Sequence, residues 1–196
     1  MWSAAILAGG QSRRFDGRDK SSLLVQGRTI LERQVSELMA LTTDILVVGG
    51  PERIVPAPAR VVPDRIPGCG PLGGLHTALS VAVGEAVVVI ACDMPNVCAK
   101  LLRHLLALTR HADVVVPLTD RGYHPLCAAY ARACLEPVTA RLADGRLKMT
   151  GLFEDLRVHA VTADELSALG GSEEWLANVN TPAEYSGLEA LQRHEL

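Results

Sequence analysis

The chain has 196 residues, of which 48% are hydrophobic, 21% charged and only 4% aromatic, with a net charge of −3. These values describe an ordinary globular chain that buries roughly 70% of its unfolded surface, and they exclude a bulk-basic nucleic-acid binder and a single-strand binder built on stacked aromatics. The glycines and prolines follow no period, and no apolar run is long enough to span a membrane. Cys69, Cys92, Cys98, Cys127 and Cys134 are odd in number and form no C-x-x-C pair, so they read as small buried hydrophobes of a reducing compartment rather than zinc ligands or disulfides.

Taken in chain order, Ser3–Leu7 reads as a first buried strand rather than a signal peptide, because no basic segment precedes it and glycines follow directly. A helix over Thr29 to Leu41 opens on the capping box Thr29-x-x-Glu32 and places Ile30, Leu31, Gln34, Val35, Leu38 and Leu41 at helical spacing. Strands Asp44–Val48 and Arg60–Val62 come next, then a helix over Leu72 to Val83 behind Pro71. Ala86–Ala91 is a strand, Lys100 to Thr109 a leucine-rich helix, and Asp113–Pro117 a further strand. Beyond the turn Asp120-Arg121-Gly122, the pattern predicts a continuous strand over Tyr123 to Tyr130, a helix over Ala133 to Leu142, a weak strand over Arg157 to Val161 and a terminal helix over Pro182 to His194 capped by Thr181. Near-continuous apolar strands alternating with amphipathic helices define a three-layer α/β/α sandwich, Rossmann-like, with a mostly parallel sheet. With no internal repeat and no linker, residues 1–196 read as one domain.

The connection after the first strand is unusual. Leu7-Ala8-Gly9-Gly10-Gln11-Ser12-Arg13-Arg14-Phe15-Asp16-Gly17-Arg18-Asp19-Lys20 is at least twice the usual length of about 2–6 residues. Gly9 and Gly10 allow backbone amides to approach an anion, and Arg13, Arg14, Arg18 and Lys20 supply cations suited to a polyphosphate. A glycine turn followed by an exposed basic loop is the other reading. The loop has neither the phosphate-loop G-x-x-x-x-G-K-[ST] pattern nor G-x-G-x-x-G. A second candidate, Asp93, stands just beyond the Val87–Ala91 run, where open α/β sheets bind ligands. It offers a hard oxygen to Mg²⁺, or else caps the next helix.

Leu7-Ala8-Gly9-Gly10-x-Ser12-x-Arg14 with Gly17-x-Asp19-Lys20 resembles the signature of nucleotidyltransferases of the molybdenum cofactor branch, and is most similar to the molybdenum cofactor guanylyltransferase family. The resemblance continues in order through Pro67-Gly68-Cys69-Gly70-Pro71-Leu72-Gly73-Gly74-Leu75, Ala91-Cys92-Asp93-Met94-Pro95, His124-Pro125-Leu126 and Asn178-Val179-Asn180-Thr181-Pro182. It implies the nucleotide-diphospho-sugar transferase fold, cytoplasmic location, and transfer of GMP from GTP to the phosphate of molybdopterin or its molybdenum-loaded form. It also implies Mg²⁺ as cofactor, with no nucleic-acid or membrane partner. Direct hand-over of a labile product would make other molybdenum cofactor proteins and acceptor enzymes its protein partners.

By the same resemblance, Leu7, Ala8, Gly9, Gly10, Ser12, Arg13, Lys20, Asp64, Gly70, Gly73 and Asp93 contact the nucleotide. Lys20 and Arg14 counter its phosphate charge, and Asp93 holds the metal. His124, Asn178 and Asn180 line the acceptor side. Bland readings stand beside several of these: Asp64 paired with Arg65, a structural glycine turn at 70–74, a structural His124, and Asn180 starting the last helix. Asn180 stands where related sugar nucleotidyltransferases often carry a second metal-binding aspartate, and Gly49 where some members carry a nucleotide-contacting asparagine. The N-terminal half is thus expected to bind nucleotide and the C-terminal half the acceptor. A CTP-using molybdopterin enzyme or a sugar-phosphate nucleotidyltransferase is the alternative, although Gly9-Gly10 favours GTP.

Overall fold

A computed structural model describes residues 1–9, 22–50 and 54–179. The predicted strands are present with small shifts at their ends: β1 (Trp2–Leu7), β4 (Ile45–Val48), β5 (Arg60–Val62), β6 (Ala86–Ala91), β7 (Val114–Thr119) and β10 (Val158–Val161). So are the helices α1 (Ile30–Met39), α2 (Gly70–Val81), α3 (Ala99–Leu108) and α4 (Leu135–Ala143), the last entered through a tight turn at Arg132–Cys134. The Thr29 box forms: its hydroxyl accepts the Glu32 amide at 3.1 Å while the Glu32 carboxylate accepts the Thr29 amide at 2.7 Å.

Three features depart from the sequence expectation. A small hairpin, β2 (Leu24–Val25) and β3 (Arg28–Thr29), precedes α1, with Gly27 in its turn. The strand expected over 123–130 is split into β8 (Gly122–Tyr123) and β9 (Cys127–Ala131). The break falls at Pro125, which has no N–H to donate, and the His124 carbonyl turns back to accept the Cys127 amide at 2.9 Å. A short helix, α5 (Ala163–Ala168), was not expected, although its Thr162–Glu165 capping box is complete. The predicted terminal helix lies outside the described residues.

Among the described residues the main sheet runs β10-β7-β9-β6-β1-β4-β5, with β8 added to β7. All pairs along that order are parallel except those made by β9. Side chains alternate faces. Ala4, Ile6, Val88 and Ile90 meet α1, α3 and α5 through Leu31, Val35, Leu101, Leu105 and Leu166. Ala5, Val87 and Val89 meet α2 and α4 through Leu72, Leu75, Leu79 and Val138. The three layers expected from the alternation are therefore present. No helix among the described residues is long and apolar enough to cross a membrane.

At the amino edge of the sheet, the Ser3 hydroxyl donates to Asp44 at 2.5 Å and accepts the Gly84 amide at 2.9 Å. The Val83 amide donates to the same Asp44 carboxylate at 3.0 Å. Partial burial opposes ionisation of Asp44, but the Ser3 hydroxyl, the Val83 amide and the Arg60 guanidinium outweigh it and hold the carboxyl below its ordinary 3.8. A depressed value means stability that is complete above the ordinary carboxylate range and lost as pH falls through the folded-state value. Asp44→Ala is expected to lower stability by about 1–3 kcal/mol at neutral pH. The deficit should shrink on acidification below pH ~4, read from denaturant midpoints across a pH series.

Candidate active site

The strand order places a topological switch between β1 and β6: the chain moves from β1 outward to β4 and β5, then returns through α2 to β6 on the other side. Ligands of open α/β sheets bind outside the carboxyl ends at such a point. Here Leu7 pairs in register with both Val48 and Ala91, so three strands end level with one another. The Cys92 amide donates to Leu7 O at 3.2 Å and the Ala8 amide to Val48 O at 2.8 Å. The loop that begins Ala8-Gly9 and the turn that carries Asp93 therefore leave the sheet side by side.

Gly49 sits at the end of β4 with φ +74°, a conformation that favours glycine. A Cβ there would stand 3.2 Å from Gly9 Cα and 3.3 Å from Gly9 N. The backbone of the glycine loop therefore packs directly against this position. Gly10, Ser12, Arg13, Arg14 and Lys20 lie outside the described residues.

Asp93 does not cap the next helix. The cap residue of α3 is Cys98, and the first α3 amide, Ala99 N–H, is taken by the Glu37 carboxylate at 2.7 Å. The Asp93 carbonyl accepts the Val179 amide at 2.8 Å, which brings the Asn178-Val179 segment from the far end of the chain to this turn. Asn178 is exposed beside it, and Asn180 lies outside the described residues.

Asp64, just past β5, is not held by Arg65. Its Oδ1 accepts the Thr77 hydroxyl at 3.1 Å and the Ile66 amide at 3.3 Å, while Thr77 Oγ1 accepts the Arg65 amide at 2.9 Å. Thr77, fully buried on α2, therefore fixes both the carboxylate and the turn that presents it. Gly73, one α2 turn earlier, has a packing reason of its own: a Cβ would meet Ile66 O at 2.9 Å and Cys69 Cβ at 3.0 Å. Gly70 opens the same helix at the surface.

β7 runs in the same direction as β6, so its end at Thr119 joins this edge. The Thr119 hydroxyl and His124 Nε2 are 2.9 Å apart, the His124 amide donates to Pro117 O at 2.9 Å, and the buried Tyr130 hydroxyl donates to Pro125 O at 2.7 Å. Burial pushes His124 below the ordinary histidine value; Glu173 opposes this and Arg121 adds to it. The ring is therefore neutral near pH 7, and Arg121 is the lasting cation of the pair. A cleft of about 380 Å³ lies here, lined by Arg121, His124, Glu173, Glu174 and Asn178. Sequence reasoning missed Thr77, Glu173, Glu174 and Gln34, whose side chain grips the Asp93 turn. Of these, only Gln34 left a trace in the sequence, as a polar residue on an apolar helix face.

A doubly wound sheet whose loops leave side by side at the switch point has the edge at which such sheets bind ligands. The family described as MobA-like NTP transferase domain matches residues 4–185, and the chain belongs to it. It is a nucleotidyltransferase by that membership. The chain is 35% identical over 183 residues to the probable molybdenum cofactor guanylyltransferase of Pelotomaculum thermopropionicum, covering 93% of this chain and 89% of that protein. It is 33% identical over 187 residues to the molybdenum cofactor guanylyltransferase of Desulfosudis oleivorans, covering 94% and 93%. Among solved structures, molybdopterin-guanine dinucleotide biosynthesis protein A of Archaeoglobus fulgidus aligns with a TM-score of 0.83 at 25% identity, over 99% of this chain and 100% of that one. The 2-C-methyl-D-erythritol 4-phosphate cytidylyltransferase of Thermus thermophilus shares the fold, with a TM-score of 0.71 at 17% identity over 98% and 100%.

Thr77→Val keeps the volume of this site but removes two hydrogen-bonding roles at once, the donor to Asp64 and the acceptor of the Arg65 amide. It is expected to lower stability by about 1–3 kcal/mol, with most of the loss recovered in Thr77→Ser, as measured by denaturant unfolding.

Proposed function

We propose that the chain transfers GMP from GTP to the terminal phosphate of molybdopterin, or of its molybdenum-loaded form, making the guanine dinucleotide cofactor and pyrophosphate. The observation that carries this reading is the match, over more than nine-tenths of the chain, to relatives named molybdenum cofactor guanylyltransferases. The convergence of the Ala8-Gly9 loop and Asp93 at the β1/β6 switch supports it. A cytidylyl or sugar-phosphate enzyme on this fold is not favoured, since the cytidylyltransferase likeness extends to the fold alone.

The acceptor phosphate attacks the α-phosphorus of GTP in line; the new P–O bond forms as the bond to pyrophosphate breaks. A phosphate monoester is already an anion near neutral pH, so the protein needs no nucleophile of its own. What it must supply is positioning and charge neutralisation. Leu7, Ala8 and Gly9 begin the wall for nucleotide, and Asp64, Gly70 and Gly73 border it from β5 and α2. Arg14 and Lys20 are assigned to the triphosphate.

Mg²⁺ is assigned to Asp93. Among the described residues no group of three or more His, Cys, Asp or Glu side chains gathers as a metal cage. One protein carboxylate at the sheet edge fits a hard cation that completes its shell with phosphates and water. When bound, such an ion neutralises charge on the phosphate oxygens.

The C-terminal half serves the acceptor. In the cleft beside His124, Arg121 supplies the cation and His124 and Asn178 the hydrogen-bonding groups for an acceptor phosphate. We assign the reaction to the cytoplasm, where GTP is available, with hand-over to other cofactor-handling proteins.

Asp93→Ala should abolish GMP transfer while leaving the thermal midpoint within a few degrees of the parent; transfer by that variant would overturn the metal assignment. GTP with Mg²⁺ should raise the midpoint more than CTP, ATP or UTP, by a margin set by relative affinities. A CTP-selective shift would favour the cytidylyl reading. Replacing His124 and Asn178 together by Ala should raise the KM for molybdopterin by about tenfold with the KM for GTP little changed, in steady-state assays of purified substrates.

A further inference from the structure

Gln34 lies on the face of α1 that otherwise packs Leu31, Val35 and Leu38 into the core, and it is fully buried. Its Nε2 donates to Ala91 O at 2.8 Å and to Met94 O at 3.0 Å. Those carbonyls are the two shoulders of the turn that carries Cys92 and Asp93. Both neighbours are acceptors, so only the NH₂ end of the amide can face them, and both of its hydrogens are used. The Oε1 end is buried with no hydrogen-bond partner among the described residues. An apolar side chain would fill this place in the core without that unmatched atom, but would leave the Ala91 and Met94 carbonyls without this donor. The amide thus serves the 91–94 turn, whose two carbonyls it satisfies, rather than the packing of α1. The direct backbone bond closing the turn, Met94 N to Ala91 O, is long at 3.4 Å, so the side-chain clamp carries much of the constraint.

We propose that Gln34 is a positioning residue for Asp93: from beneath the sheet edge it fixes the turn that aims the carboxylate toward the nucleotide. The proposal rests on the role assigned above to Asp93. The test uses the full chain with Gln34→Met, which keeps length and fills the core, and Gln34→Glu, which keeps shape but sets a carboxyl group against two carbonyls. Both should lower kcat for GMP transfer by about 10- to 100-fold, the range for a displaced site group, with the KM for GTP changed by less than about twofold. Mn²⁺ binding in the presence of GTP, followed by electron paramagnetic resonance, should weaken in parallel, while Gln34→Met stays folded at the assay temperature with a midpoint a few degrees below the parent, the cost of the two lost hydrogen bonds.

In an Asp93→Asn background, Gln34→Met should change Mn²⁺ binding by less than about twofold, because the group it positions is gone. Parent-like kcat and Mn²⁺ binding in Gln34→Met would overturn the proposal, as would losses that vanish at temperatures where the variant is fully folded or that add fully to those of Asp93→Asn. If Asp93→Ala alone keeps transfer and metal binding, the role of Asp93 fails first and Gln34 has nothing to aim.

Discussion

Leu7 and Ala91 are register partners on neighbouring parallel strands, and everything at the candidate site follows from that pairing. Both strands are buried on both faces, with Val or Ile at the four central positions of β6. A slip by one residue would still bury apolar side chains, so the hydrophobic pattern does not by itself select the register. The selection comes from the opposite edge. Ser3, Asp44 and the Val83 and Gly84 amides interlock there, and a Cβ on Gly84 would stand 2.6 Å from the Trp2 carbonyl carbon. The Glu85 amide then donates to Met1 O at 2.9 Å and starts the ladder. Six residues later, about 20 Å along the strand at ~3.3 Å per residue, the same ladder delivers Ala8 and Asp93 to one place.

This division of labour explains which parts were legible in the sequence. Buried parallel strands announce themselves as short Val/Ile runs, and the Thr29 box marks a helix start by purely local chemistry. Asp93 was legible because its position, two residues past such a run, is itself the signal. The strand over 123–130 was misread because the alternation continues through His124-Pro125-Leu126, although Pro125 cannot donate to a ladder and the chain turns there. The Thr162-x-x-Glu165 signal was present but heads a helix of six residues, too short to show periodicity. Thr77 was not legible as a site residue at all. Its partner Asp64 is thirteen positions away and meets it only after β5 and α2 have packed.

Three buried polar side chains share a pattern that no local reading exposes. Gln34 holds the 91–94 turn from α1, Thr77 holds the 64–66 turn from α2, and Tyr130 holds the 124–126 turn from β9. Each reaches the site from the core side, opposite to the face a ligand would meet. Arg141 is the contrasting case: it is buried too, but it pairs with Asp155 at 3.0 Å on the far side of α4 and packs on Gly151, serving only the local chain.

A buried amide, hydroxyl or phenol is a poor source of stability but a good source of definition, because its hydrogen-bond geometry admits few arrangements. Definition is what phosphoryl-group transfer between two bound anions demands. With no protein nucleophile to form a covalent intermediate, the rate depends on holding two negatively charged reactants in line and on placing countercharges where they are needed. Loops at a sheet edge move easily unless something beneath them is rigid. Three turns, each clamped by one buried polar group from a different element, supply that rigidity while leaving the outer face of the edge open to both nucleotide and acceptor.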